Sequence, residues 1–96
     1  MACWSAKDVA DAWKQAHPDY RLSAGARAWL TSLRCGVKLF DLLVLAGDVA
    51  RWERGRITVG VQDVQAAAAY IAAGPEAVEA VEKLHEAARE GYKARV

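Results

Sequence analysis

The chain has 96 residues and sets 13 Lys and Arg against 12 Asp and Glu, so its formal charge of +1 excludes a simple polybasic binder of nucleic acid. No apolar run reaches the ~20 residues of a membrane-spanning helix and no charged-then-apolar leader opens the chain, so it reads as intracellular and without a membrane partner. Cys3, Cys35, His17 and His85 offer neither a disulfide framework nor a ligand spacing for zinc, which points to reduced thiols and to no metal or other cofactor.

Alanine abundance, with both prolines placed like punctuation, makes an all-α chain the leading expectation. Ser5 is a plausible N-cap with Asp8 three residues on, and Val9, Ala12, Trp13 and Ala16 then recur at helical spacing. That first helix must stop near His17, because Pro18 disfavours α conformation in the residue before it. A short polar connection follows, from Pro18 to Leu22.

From Ser23 to Arg54 there is no proline and no cluster of turn residues, so the pattern predicts one unbroken helix. At ~1.5 Å per residue, about 32 residues run roughly 48 Å. A compact chain of this size is only about 32 Å across. Ala26, Trp29, Leu30, Leu33, Val37, Phe40 and Val44 form one apolar stripe on it, and Leu39, Leu42, Leu43 and Leu45 widen the stripe around much of the circumference. Such a helix calls for cover from a second chain, so an obligate oligomer is expected. Gly25, Gly36 and Gly47 recur at eleven-residue intervals on nearly one face, which fits either a partner helix crossing near Gly36 or chance placement.

Arg54-Gly55-Arg56-Ile57-Thr58-Val59-Gly60 then reads as an extended loop carrying two arginines. Val61, Val64, Ala68 and Ile71 keep helical spacing over a third helix from Val61 to Ala73, which Gly74-Pro75 ends. The last helix, Pro75 to about Tyr92, places Val78, Val81, His85, Ala88 and Tyr92 on one face and Glu76, Glu79, Glu82, Glu86 and Glu90 on another. Charge is divided along the chain: residues 1–60 hold nine basic and six acidic side chains, residues 61–96 four and six.

Catalytic groupings are missing from the pattern: no phosphate loop, metalloprotease helix or nucleophile elbow occurs, so an enzyme is not expected. His17 reads as a helix-terminal residue whose ring N–H can meet free carbonyls, His85 as a partly buried member of the last helix, and Cys35 as a small core residue. Trp4, Trp13, Trp29 and Trp52 lie on apolar faces, which favours packing over base stacking. A route to polyanion binding remains. Arg54 and Arg56 lie at one end of the long helix, while Arg21 and the amides opening at Ser23 lie at the other. Two such loops side by side, one from each chain of a dimer, would clamp a DNA backbone without reading bases.

Short helix, loop, long helix, arginine-bearing loop and short helix is the order of the histone fold, and several strings resemble the core histones, most closely histone 2B. Trp13-Lys14-Gln15-Ala16-His17-Pro18-Asp19 is similar to the end of that family's first helix, Leu22-Ser23 to the entry of its long helix, Ile57-Thr58 to its second loop, and Asp63-Val64-Gln65 to the opening of its third helix. The extra helix from Pro75 favours histone 2B, whereas Ser23-Ala24-Gly25-Ala26 and the stretch from Leu45 to Arg51 look more like histone 2A. These residues depart from the family in showing no Lys-rich tail, abundant tryptophan and little net charge, as expected of a divergent histone of an unusual lineage such as a giant virus, or of one whose tail has been trimmed.

The resemblance implies a histone-fold core over 5–73 and a C-terminal helix over 74–93, between short termini at 1–4 and 94–96. It implies a nucleosomal, non-enzymatic, DNA-packaging subunit of chromatin in the nucleus, with double-stranded DNA, a histone 2A-like heterodimer partner and a histone 3/4-like tetramer as partners. Arg54, Arg56 and Thr58 become second-loop phosphate contacts, Arg21, Ser23 and Ala24 first-loop contacts, and Ser5 and Lys7 a third. Trp29, Leu33, Val37, Phe40 and Val44 become the dimer interface. Val49, Trp52, Val64 and Ala68 become a four-helix-bundle contact, and Glu76, Glu79 and Glu82 part of an acidic patch for basic peptides. The alternative is a histone-fold subunit of a transcription or kinetochore assembly, or a helical adaptor that never touches DNA.

Overall fold

The computed structural model describes residues 4–32 and 38–95. Its architecture is all-α, with one minimal strand pair tying two loops together. Helix α1 (Ala6–Ala16) starts at the reciprocal cap expected of it: Ser5 Oγ accepts from the Asp8 amide at 3.1 Å, and Asp8 Oδ2 accepts from the Ser5 amide at 3.3 Å. Val9 and Trp13, four residues apart, are its buried face. The helix stops at His17, as Pro18 requires.

The expected single helix from Ser23 to Arg54 is not what forms. Helix α2 (Ala24–Ser32) and helix α3 (Leu39–Asp48) are separate, and Lys38, which precedes α3, has an extended backbone with φ −69° and ψ 122°. The strand pair shows how far the chain turns between them. Arg21 and Leu22 (β1) pair in parallel with Thr58 and Val59 (β2), with Arg21 opposite Thr58. The ends of one straight helix would stand roughly 48 Å apart. Paired strands lie about 5 Å apart, so the chain doubles back between them. The two half-helices thereby both pack on α1 and on helix α4 (Val61–Ala73). The physical reason is the wide apolar surface that called for cover from a second chain. Breaking the helix lets the same chain supply that cover, through α1 and α4, and helix length no longer calls for a second chain.

Leu30 of α2 and Leu42 and Leu43 of α3 are fully buried in one core with Val9, Val59 and Val64. Each such side chain contributes about 1.5–3 kcal/mol relative to exposure. Gly36, together with Leu33, Cys35 and Val37, lies outside the described residues, and so does the crossing expected near it. A close approach does occur at Gly47, and inside the chain: a Cβ added there would overlap the His17 imidazole. His17 Nε2 donates to the Val44 carbonyl at 2.9 Å and its ring stacks on Tyr20 with centroids 4.8 Å apart. His17 is thus a helix terminus that locks α1 onto α3.

After Asp48 the helix widens into a π turn, Val49–Glu53. Helix α4 ends at Gly74, whose φ of 120° suits a residue without a Cβ. Helix α5 (Pro75–Arg95) runs one turn beyond the expected end near Tyr92. Its predicted apolar face is only half used: Val81 and His85 are buried, whereas Ala88 and Tyr92 are exposed. No helix among the described residues is long and apolar enough to cross a membrane.

Candidate nucleic-acid interface

The β1–β2 pair builds the site. Two backbone bonds, Arg21 N to Ile57 O at 2.8 Å and Ser23 N to Val59 O at 2.9 Å, extend the pairing on both sides and fix the first loop against the second. The expectation that such loops meet across two chains is therefore corrected: they meet within one. Ser23, Arg54, Arg56 and Thr58 line one shallow depression together with Gly60, Val61, Gln62 and Asp63. Arg21, opposite Thr58, stands at its edge, and Ala24 opens α2 next to Ser23.

Two helix N-termini converge at this edge. Ser23 Oγ accepts from the Ala26 amide at 3.0 Å and caps α2, leaving its own O–H to donate outward. At α4, Asp63 sits at the third helical position and its Oδ2 accepts from the Gly60 amide at 3.0 Å. The first amides of α4, on Val61 and Gln62, have no carbonyl within the helix to bond, and both residues line the depression. Free amides, the positive ends of two helix dipoles and exposed arginines are the ingredients of phosphate binding.

Arg54 is not free to swing. Its Nε lies 3.3 Å from Asp63 Oδ1, an ion pair whose alignment falls short of a hydrogen bond, with Asp63 almost wholly buried. Arg56 is tethered by its backbone, its amide donating to the Ala50 carbonyl at 2.9 Å, while its side chain is exposed. Asp63 thus orders the second loop, a role the sequence reading did not assign. The signal was an acid three residues after Gly60, in the position of a helix cap.

The remaining site residues are scattered. Ser5 and Lys7 are exposed at the start of α1 and do not line the depression, and the Ser5 hydroxyl is engaged in its cap. Of the proposed dimer-interface residues, Trp29 packs half-buried against the core, while Phe40 and Val44 line a groove of about 890 Å³ between α3 and α5. Leu33 and Val37 lie outside the described residues. Of the proposed bundle residues, Val49 and Val64 are consumed by the chain's own core, and Trp52 and Ala68 are half-buried. The Arg51 guanidinium lies 4.5 Å from the Trp52 ring centroid and 4.9 Å from that of Tyr92, so Trp52 is packed rather than offered to bases. Glu76, Glu79 and Glu82 are all exposed on α5; Glu79 and Glu82 rim the same groove as Phe40, and Glu76 does not.

Glu53, the last residue of the π turn, accepts from His85 Nε2 at 2.5 Å and from the Tyr70 hydroxyl at 3.3 Å. Burial pushes the Tyr70 phenol above its ordinary value, and the neighbouring Glu53 charge and hydrogen bond push it the same way. No group of His, Cys, Asp and Glu among the described residues has the arrangement of a metal site. No family model matches the chain, and no curated protein and no solved structure matches it.

Proposed function

We propose that the chain is a histone-like DNA-packaging subunit, which holds duplex DNA by its phosphate backbone without reading bases and works in chromatin beside histone 2A-like and histone 3/4-like chains. One observation carries the reading. The parallel pairing of Arg21 and Leu22 with Thr58 and Val59 gathers Arg21, Ser23, Ala24, Arg54, Arg56 and Thr58 at an edge where two helices begin. Net charge of +1 is no obstacle, because backbone binding depends on a few cations held at phosphate spacing rather than on total charge. The groove under Phe40 and Val44 is where a histone 2A-like partner would add its apolar surface, and Glu79 and Glu82 on its rim would serve basic peptides.

That same groove favours a second reading, in which the chain is a histone-fold subunit of a transcription or kinetochore assembly, or an adaptor that never touches DNA. Phe40 is 46 % exposed there, which is surface a protein partner would cover. Reconstitution with histone 2A-like and histone 3/4-like chains on long DNA, followed by nuclease digestion, separates the two. The packaging reading expects protected fragments of one uniform length, and a complex of the proteins that leaves the DNA fully digestible assigns the adaptor reading.

A further inference from the structure

The arginine loop starts on a π turn, a wider winding than the α-helix that recurs where a helix has been adapted to a local task. Its last residue, Glu53, is gripped from two helices. Oε2 accepts from His85 Nε2 of α5 at 2.5 Å, and Oε1 accepts from the Tyr70 hydroxyl of α4 at 3.3 Å. The next residue, Arg54, is held by Asp63, and the Arg56 amide by the Ala50 carbonyl.

His85 is 2 % exposed, and its second ring nitrogen, Nδ1, is buried with no partner among the described residues. A buried polar nitrogen without a bond is destabilising, and an apolar side chain of similar size would fill the site without that penalty. Packing therefore does not account for an imidazole at this position. The one bond the ring makes does, and that bond ends on the residue from which the arginine loop departs.

We propose that His85 is a positioning residue of the DNA-facing edge: from α5 it holds Glu53, so that the π turn delivers Arg54 and Arg56 beside Arg21 and Ser23. The proposal rests on the reading of that edge as a phosphate-binding surface. It gives α5 a task at a site that α5 itself does not line. Without the bond the loop spends time in other placements, and affinity falls by the fraction of molecules no longer preorganised.

Two readouts on the intact chain test this: hydrogen exchange at the Arg56 amide, and affinity for a random-sequence duplex at fixed low salt. His85→Leu keeps the volume and removes the bond. It is expected to speed Arg56 exchange about tenfold and to weaken duplex binding about three- to tenfold, with the melting temperature held or raised. His85→Gln, which keeps a donor for Glu53, is expected to restore both. Glu53→Ala severs the same bond, along with that from Tyr70, without replacing a buried side chain, and is expected to reproduce both changes if His85→Leu fails to fold. Wild-type exchange and wild-type affinity in a folded His85→Leu or Glu53→Ala chain overturn the proposal. Faster Arg56 exchange in a chain whose wild type shows no duplex binding supports the positioning role and overturns the DNA reading instead.

Discussion

The Gly47→Ala variant is expected to lose about 2 kcal/mol of stability, which for a chain of this size lowers the melting temperature by roughly 8–16 °C. On an isolated helix the sign would be opposite, because alanine is the better helix former by about 1 kcal/mol. The difference lies in what faces Gly47. An added Cβ would collide with the His17 imidazole, which is pinned by its bond to the Val44 carbonyl at 2.9 Å and by its stack on Tyr20. The ring must leave, so the variant forfeits the bond that joins α1 to α3 as well as the fit. The double variant His17→Ala with Gly47→Ala should then lose less than the two single losses added, by more than about 1 kcal/mol, since both changes forfeit the same His17 bond and His17→Ala removes the collision that the new Cβ creates. Thermal melts of the four chains measure this, and a Gly47→Ala chain as stable as wild type would mean that α1 does not rest on α3 at this point.

Asp63→Ala is expected to lose about 2–3 kcal/mol. Three functions go with one side chain: the bond to the Gly60 amide at 3.0 Å that caps α4, the negative charge at the positive end of its dipole, and the counter-ion of Arg54. A lost cap alone is worth ~1 kcal/mol and a helix-end charge a few tenths to 1. The ion pair adds less than a fully buried one would, because the Arg54 side chain is 38 % exposed. Asp63→Asn retains an acceptor for the Gly60 amide and should recover about half of the loss. Denaturant titration of the three chains is the measurement, and an Asp63→Ala chain within about 0.5 kcal/mol of wild type would show that the second loop is ordered by something else.

The parts of this fold that are local were legible in the sequence. Ser5 with Asp8, the stop before Pro18, the helix from Val61 to Ala73 and the Gly74-Pro75 junction are set by residues within a few positions of one another, and all appear in the structure. The break at Lys38 was not legible, because no proline or turn cluster marks it and its cause is distant: the core that α1 and α4 offer to Leu30, Leu42 and Leu43. The β1–β2 pair was half legible: Ile57, Thr58 and Val59 marked an extended segment, but nothing local named Arg21 and Leu22 as its partner.

The site was half legible. Arg21, Ser23, Arg54, Arg56 and Thr58 were singled out by type and position, but their meeting within one chain depends on that break. Gly47 had a visible signal, an interior helix glycine at a regular interval, but nothing local named the residue that meets it, which is the chain's own His17. Glu53 and His85, 32 residues apart, had no signal beyond their types, because pairing at that distance follows from the packing of α5 on the π turn.

The most direct test of the proposed phosphate-binding edge is the salt dependence of binding to two duplexes of unrelated sequence, for the wild-type chain and for the Arg21→Ala, Arg56→Ala double variant. Arg21, the first residue of β1, and Arg56, two residues before β2, are both exposed, and their replacement leaves the Arg54–Asp63 pair intact. Wild type should bind both duplexes with equal affinity, and the variant should bind both more weakly, with the slope of log affinity against log salt reduced by about 2. A wild-type chain that prefers one duplex, or a folded double variant with an unchanged slope, would contradict the account.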